Sequence, residues 1–294
     1  VLAIIGAGSI GGYLAWQLSR AGHGLVLCVR SPFDHLEVTA GGATHVVDAP
    51  VVTEPARLPS AVAGGARWVL LATKAHHTDA AAPWLRALCG PDTEGVVVLQ
   101  NGVEHRERVA PHVGSAPVLP CVVNCAAEAV APGRVVHHAY SSFEVPAGPL
   151  ADRFAALLER TDASVVATDD FLTSSWRKLV ANVTASPITA LTGRRMDVMA
   201  DPAVQQLAIG LAAECVAVAN AAGANLDPDL PRSFVAGVAA NAGSSFGSSM
   251  LYDRDAGRPT EHDALTGAVV RHGHRLGVPV PLNEAVLALL AAAR

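Results

Sequence analysis

The chain has 294 residues, of which 51% are hydrophobic and 16% charged, and its formal net charge is −5. That length suits two domains rather than one small core, and so apolar a composition excludes a disordered chain. A net negative charge without a basic cluster leaves no footprint for nucleic acid.

The chain opens at Val1 directly on an apolar run, with no basic segment or cleavage site before it. That pattern predicts no secretory leader and a cytoplasmic location. Continuous apolar runs lie at 2–5 (LAII), 25–29 (LVLCV), 68–73 (WVLLAT), 96–99 (VVVL) and 118–123 (VLPCVV). Continuous runs, unlike alternating ones, mark parallel strands buried on both faces. With helical patterns between most of them, they predict an α/β, doubly wound, mostly parallel sheet of the Rossmann type.

From 134 to 147 the pattern changes, and RVVHHA and SSFEVPA read as a hairpin at the sheet edge. A helix near 150–160 and a strand at 164–168 follow, and from Thr173 onward only helices are expected, punctuated by Pro187, Pro202, Pro228, Pro231 and Pro279. The predicted domains are therefore 1–169, the dinucleotide-binding half, and 170–294, an all-α half; Asp169 or Asp170 could cap the first helix of the latter. The apolar segment 207–226 is interrupted by Glu214, and the uncharged stretch from Ser233 to Tyr252 carries five Ser and several Gly. Both suit packed helices better than membrane spans, so no membrane partner is expected. The Ala- and Gly-rich helical half is compatible with a homodimer, although nothing in it marks the surface.

Five cysteines, Cys28, Cys89, Cys121, Cys125 and Cys215, are odd in number and irregular in spacing, unlike a disulfide framework. Cys121 and Cys125 could ligate zinc or be two structural thiols; no second ligand pair follows, which favours the thiols. The histidine pairs His76-His77, His137-His138 and His272/His274 lack an i, i+4 partner with a further ligand, so no metal is expected.

Gly6-Ala7-Gly8-Ser9-Ile10-Gly11 fits G-x-G-x-x-G. The motif is weak alone, but here it follows a strand, opens a helix, and leads through Gly22 to a second strand at Leu25. The first glycine permits the turn, the second lets backbone approach a pyrophosphate, and the third lets helix and strand pack closely. The helix N-terminus offers free N–H groups to the phosphate. At the end of the second strand, where an NAD site usually carries an acid, stand Val29-Arg30-Ser31-Pro32. An arginine there can pair with a 2′-phosphate. Arg30 thus points to NADP(H), the plainer alternative being an ordinary solvated cation.

Further motifs follow in order: Ala72-Thr73-Lys74-Ala75, Gln100-Asn101-Gly102-Val103, Trp176-Arg177-Lys178-Leu179 with Asn182, Ser248-Ser249-Met250-Leu251-Tyr252-Asp253, and Glu261. Together with the glycine loop, this ordered set closely resembles the ketopantoate reductases (2-dehydropantoate 2-reductases) along essentially the whole chain. The resemblance implies a Rossmann domain followed by a helical domain, with the active site in the cleft between them. It also implies reduction of a small 2-oxo acid, ketopantoate, to pantoate by NADPH in pantothenate biosynthesis.

By the same resemblance Lys178 is the proton donor, and an ammonium beside Trp176 suits that role because it is both an acid and an electrostatic stabiliser. Without the family it would read as a surface lysine. Asn182, one turn on along the same helix face, contacts substrate, with position 186 a further turn along and Pro187 expected to interrupt the helix there. Asn101 contacts cofactor and substrate. Lys74 and the backbone at Ala127 meet the cofactor, and Glu261 lies near the cofactor ribose and can orient the lysine. Glu261 otherwise reads as an exposed acid at a helix start, given Pro259-Thr260 before it. Ser249 binds substrate or, more plainly, packs a helix.

Two positions depart from the family. Ser186 and Met196 stand where the ketopantoate reductases usually carry Asn on the substrate side. Serine has a shorter reach and methionine offers no donor, which points toward a different, less polar substrate. The alternative functions are therefore a related reductase of another 2-oxo acid or ketone and, less in keeping with Lys178, Asn101 and Glu261 together, a non-catalytic NADP-sensing module.

Overall fold

The computed structural model describes residues 1–62, 64–240 and 246–293. The chain divides into two compact units, one of Val1–Gln100 and His105–Phe171, the other of Asn101–Glu104 and Leu172–Arg294.

The first unit runs β1 (Leu2–Ile5), α1 (Ser9–Arg20), β2 (Leu25–Cys28), β3 (Leu36–Ala40), β4 (Ala43–Val47), β5 (Val51–Val52), β6 (Trp68–Leu71), α2 (Thr78–Leu88), β7 (Gly95–Val98), α3 (His105–Val109), β8 (Val118–Pro120), β9 (Val122–Ala131), β10 (Arg134–Pro146), α4 (Pro149–Leu158) and β11 (Ser164–Thr168). Six strands form a wholly parallel sheet in the order β5-β2-β1-β6-β7-β8. In β1, β2, β6 and β7 every residue is buried, as continuous apolar runs require. The strand order reverses between β1 and β6, and the carboxyl ends of strands at such a switch point form the usual ligand crevice of open α/β sheets.

A second sheet, ordered β11-β10-β3-β4 with β9 paired to β10, was not read from the sequence. The expected hairpin within 134–147 is instead one strand, β10, whose antiparallel partner is β9. The register shifts between His137 and Ala139 and again between Ala139 and Ser141, and Tyr140 sits at φ 58°. This bulge interrupts the alternation as a turn would. Ala127, expected to meet the cofactor through its backbone, lies within β9 opposite His137.

Helix α1 lies between the two sheets, which is why every residue from Gly11 to Leu18 is buried. A Cβ on Gly11 would stand 2.0 Å from the Gly6 carbonyl oxygen, and one on Gly12 would stand 2.7 Å from Val135. Backbone cannot yield as a flexible side chain can. Gly11→Ala is therefore expected to cost about 3 kcal/mol, the upper range of overpacking, and to lower Tm measurably. An unchanged Tm would contradict the packing described.

The second unit carries α5 (Phe171–Thr192), α6 (Pro202–Ala221), α7 (Leu230–Ala240), α8 (Ser249–Asp255), α9 (Thr266–Leu276) and α10 (Pro281–Ala292). Pro187 does not interrupt α5. It withholds one N–H from the carbonyl four residues back, but its fixed φ is helical and the turns on both sides, Val183 to Ala190, are buried. Helix α6 is long and apolar enough to cross a membrane by length and composition. Its Glu214 accepts the backbone N–H groups of Leu282 and Asn283, each at 2.9 Å, and so satisfies the start of α10. Of the uncharged stretch from Ser233 to Tyr252, positions 241–245 lie outside the described residues.

Candidate active site

The first unit carries the glycine loop and the residues around it. Gly6, at φ 93°, makes the turn out of β1. Gly8 is the N-cap of α1, and nothing lies within 4 Å of where its Cβ would be. The first N–H groups of α1, from Ser9, Ile10 and Gly11, have no intrahelical acceptor. An open glycine before unsatisfied donors at a helix N-terminus fits a pyrophosphate. Ala7 completes the turn and is 9% exposed. The Ser9 hydroxyl accepts the N–H of Ala129 at 3.2 Å, tying the loop to the same strand as Ala127.

Arg30 follows β2, is exposed, and makes no hydrogen bond or ion pair with the described residues. Its charge is available to an anion at that strand end. Lys74 follows β6 on a loop held by Gln100, whose Nε2 donates to the Thr73 hydroxyl at 3.2 Å, the Lys74 carbonyl at 3.3 Å and the Thr78 hydroxyl at 3.0 Å. Gln100 is buried; the sequence marks it only as the first residue of the Gln100-Asn101-Gly102-Val103 motif, without a role of its own.

The second unit holds the groups suited to proton transfer. Asn101 Nδ2 donates to Glu261 Oε2 at 3.2 Å, which brings together two residues separated by 160 positions. Glu261 is 4% exposed, not an exposed helix-start acid, because α9 begins only at Thr266. Residues 261–265 form turns in which the Leu265 N–H reaches the Glu261 carbonyl. Lys178 is half-buried on α5, two residues after the fully buried Trp176. Desolvation lowers its pKa from the ordinary lysine value, because burial penalises the ammonium more than the amine. The proton is thereby more easily given up.

Asn182 lies one turn along α5 from Lys178, and its Nδ2 is buried without a hydrogen-bond partner among the described residues. A buried amide left unsatisfied is costly, so this atom is a natural donor for a bound acid. Ser186 is buried a further turn along. Met196 opens a short 3-10 turn after α5, partly buried, with its N–H on the Phe246 carbonyl at 3.0 Å. Ser249, the first residue of α8, is exposed. Its neighbour Ser248, missed in the sequence because the pair is chemically identical, is buried and caps the helix through Leu251 N–H. The Ser248 hydroxyl also lies 2.7 Å from that of Thr189 on α5, which fixes α8 against that helix.

Among the described residues no group of three or more His, Cys, Asp or Glu is arranged to hold a metal ion. Cys121 is buried, Cys125 is partly so, and both are free thiols.

Residues 2–150 match the family described as ketopantoate reductase PanE/ApbA, and residues 170–294 match its C-terminal domain. A 2-dehydropantoate 2-reductase of Caulobacter vibrioides is 40% identical over 99% of this chain and 98% of its own. A crystal structure of a PanE/ApbA family ketopantoate reductase from Ralstonia eutropha has a TM-score of 0.89 at 29% identity, covering 99% of this chain and 97% of the other. A dimeric ketopantoate reductase from Staphylococcus aureus shares the fold, with a TM-score of 0.87 at 22% identity over 99% of this chain and 98% of the other. A glycine loop that fits a pyrophosphate, a desolvated lysine and an Asn101–Glu261 pair, found together in a chain with these matches, place it in the ketopantoate reductase family of NADP(H)-dependent oxidoreductases.

Proposed function

We propose that this protein reduces 2-dehydropantoate to pantoate with NADPH, the step that supplies pantothenate biosynthesis. The observation that carries the reading is Lys178, desolvated on α5 with the buried, unsatisfied amide of Asn182 one turn away. Gly6, Ala7, Gly8, Ser9, Ile10 and Gly11 would hold the pyrophosphate of NADP(H), Arg30 its 2′-phosphate, and Lys74, Ala127, Asn101 and Glu261 the remainder. When bound, that cofactor supplies the hydride for the substrate's keto carbon. Lys178 gives its proton to the carbonyl oxygen, and its charge stabilises the alkoxide as it develops. Asn182, Ser186 and Ser249 hold the acid, and Asn101 helps to place it. Glu261, paired with Asn101, adds a buried carboxylate that can orient the lysine.

Loss of NADPH absorbance on mixing purified protein, NADPH and 2-dehydropantoate, with pantoate recovered as product, is the expected result. Absence of turnover at high enzyme concentration would overturn the reading. Ser186 and Met196 favour a second reading, in which the same chemistry acts on a less polar 2-oxo acid. We further place the protein in the cytoplasm and assign it a homodimeric state, the latter supported by the dimeric Staphylococcus aureus relative. Light scattering giving a single-chain mass would contradict the dimer.

A further inference from the structure

We propose that Arg271 is a positioning residue of the reductase site, bolting the segment 101–104 to the segment 261–263 and thereby setting the Asn101–Glu261 pair. The inference rests on the reading of Asn101 and Glu261 as parts of the reductase machinery.

Asn101, Gly102, Val103 and Glu104 follow β7 in the chain but cluster with the second unit. Gly102 turns the backbone at φ 101°, and Val103 packs against the helical core. The segment is held at both ends. At one end Asn101 donates to Glu261 at 3.2 Å. At the other, the Arg271 guanidinium grips the Glu104 carboxylate with Nε at 3.1 Å and Nη2 at 2.7 Å. Two parallel bonds of this kind fix orientation as well as distance.

The same guanidinium also reaches back to the other segment. Arg271 Nη1 donates to Asp263 Oδ1 at 2.8 Å, and Nη2 to the Asp263 carbonyl at 3.1 Å. Asp263 is two residues from Glu261, and Glu104 is three from Asn101. One side chain from α9 therefore spans both short segments, next to the pair that the chemistry needs. His272 adds a contact to Glu104 at 3.4 Å, and its ring meets that of Trp176, two residues before Lys178, edge-on at 5.2 Å.

The Glu104 end is built to stay charged. Burial alone would raise its pKa, but hydrogen bonds from His272 and Arg271 and the arginine's charge outweigh burial and push the carboxyl down to about 2. Glu104 is thus ionised wherever an assay is run. Lysine could not reproduce the two-pronged grip of Arg271.

The test is a double-mutant cycle of Arg271→Gln and Asn101→Ala, with kcat, KM and the Kd for NADPH measured on each protein. Arg271→Gln is expected to lower kcat about tenfold through a displaced polar group, with any loss of NADPH affinity smaller than the loss in kcat. In the Asn101→Ala background the same change is expected to cost less than about twofold, because coupled residues are non-additive. A multiplied loss in the double mutant, or an unchanged kcat with only a lowered Tm, would overturn the proposal and leave Arg271 a purely structural residue. If Arg271→Gln does not fold, Glu104→Gln carries the same cycle from the opposite partner, with the same expected and contrary results. Wild-type protein without turnover would defeat the reductase reading itself; active wild-type with an unaffected Arg271→Gln defeats only this inference.

Discussion

Lys178→Ala is expected to cut turnover at least about a hundredfold, the lower range for losing a positioned general acid, while the NADPH Kd stays nearly unchanged. The phosphates of the cofactor are assigned to the glycine loop and Arg30, whereas Lys178 is assigned to the substrate carbonyl, so cofactor affinity is not expected to follow the lysine. If the lysine acts only on the transition state, kcat and kcat/KM fall together. Desolvation also sets a pH signature. It disfavours the ammonium and so lowers the pKa, and the protonated form is the active one in reduction. Reductive kcat/KM should therefore fall as pH rises through a value below the ordinary lysine pKa, and Lys178→Ala should lack that limb. Wild-type turnover retained in Lys178→Ala would remove the residue from its role.

Arg30→Asp is expected to weaken NADPH about a hundredfold, which is the upper range for losing one hydrogen-bonded charge contact, and to change NADH affinity by less than about threefold. Arg30 is exposed and unengaged by the described residues, so its removal breaks no contact among them. An acid at that strand end accepts the ribose 2′-hydroxyl of NAD and repels a 2′-phosphate, which is why NADPH should be weakened far more than NADH. Titrating each by protein fluorescence measures the ratio directly. Equal loss for both would refute the 2′-phosphate assignment.

The parallel sheet was legible because its strands are buried on both faces, and Leu2–Ile5 or Trp68–Leu71 could be little else. The second sheet was not. In β3, Leu36 and Val38 are buried while Glu37 and Thr39 are less so, an alternation too short to stand out. Its turn into β4 is Gly41-Gly42, both at positive φ, a hairpin signal in plain view. The bulge at Tyr140 made one strand look like two. Gly12 fell outside the dinucleotide motif, yet it is the glycine that lets the second sheet approach α1.

At the site, Lys178 and Asn182 were legible as neighbours because helical spacing alone puts them on one face. The Asn101–Glu261 and Glu104–Arg271 pairs join positions 160 and 167 residues apart, and no local pattern reports such a distance. Glu261 looked like a helix-start acid because proline and threonine precede it; the helix instead begins at Thr266, after turns that leave the carboxylate buried.

Substrate choice is where Ser186 and Met196 bear most heavily. The family resemblance puts Ser186 and Met196 in place of two substrate-side amides; a site so changed would offer fewer hydrogen bonds to a hydroxylated acid, and a polar site discriminates through the groups it must satisfy. The buried Nδ2 of Asn182 nevertheless has no hydrogen-bond partner among the described residues, and Ser186 keeps a hydroxyl on the same helix. The most direct test is kcat/KM with NADPH across 2-dehydropantoate and simple unhydroxylated 2-oxo acids. The expected result is a preference for 2-dehydropantoate of at least about tenfold, the discrimination worth roughly one satisfied hydrogen bond. An equal or higher kcat/KM for the unhydroxylated acids would contradict the pantoate assignment.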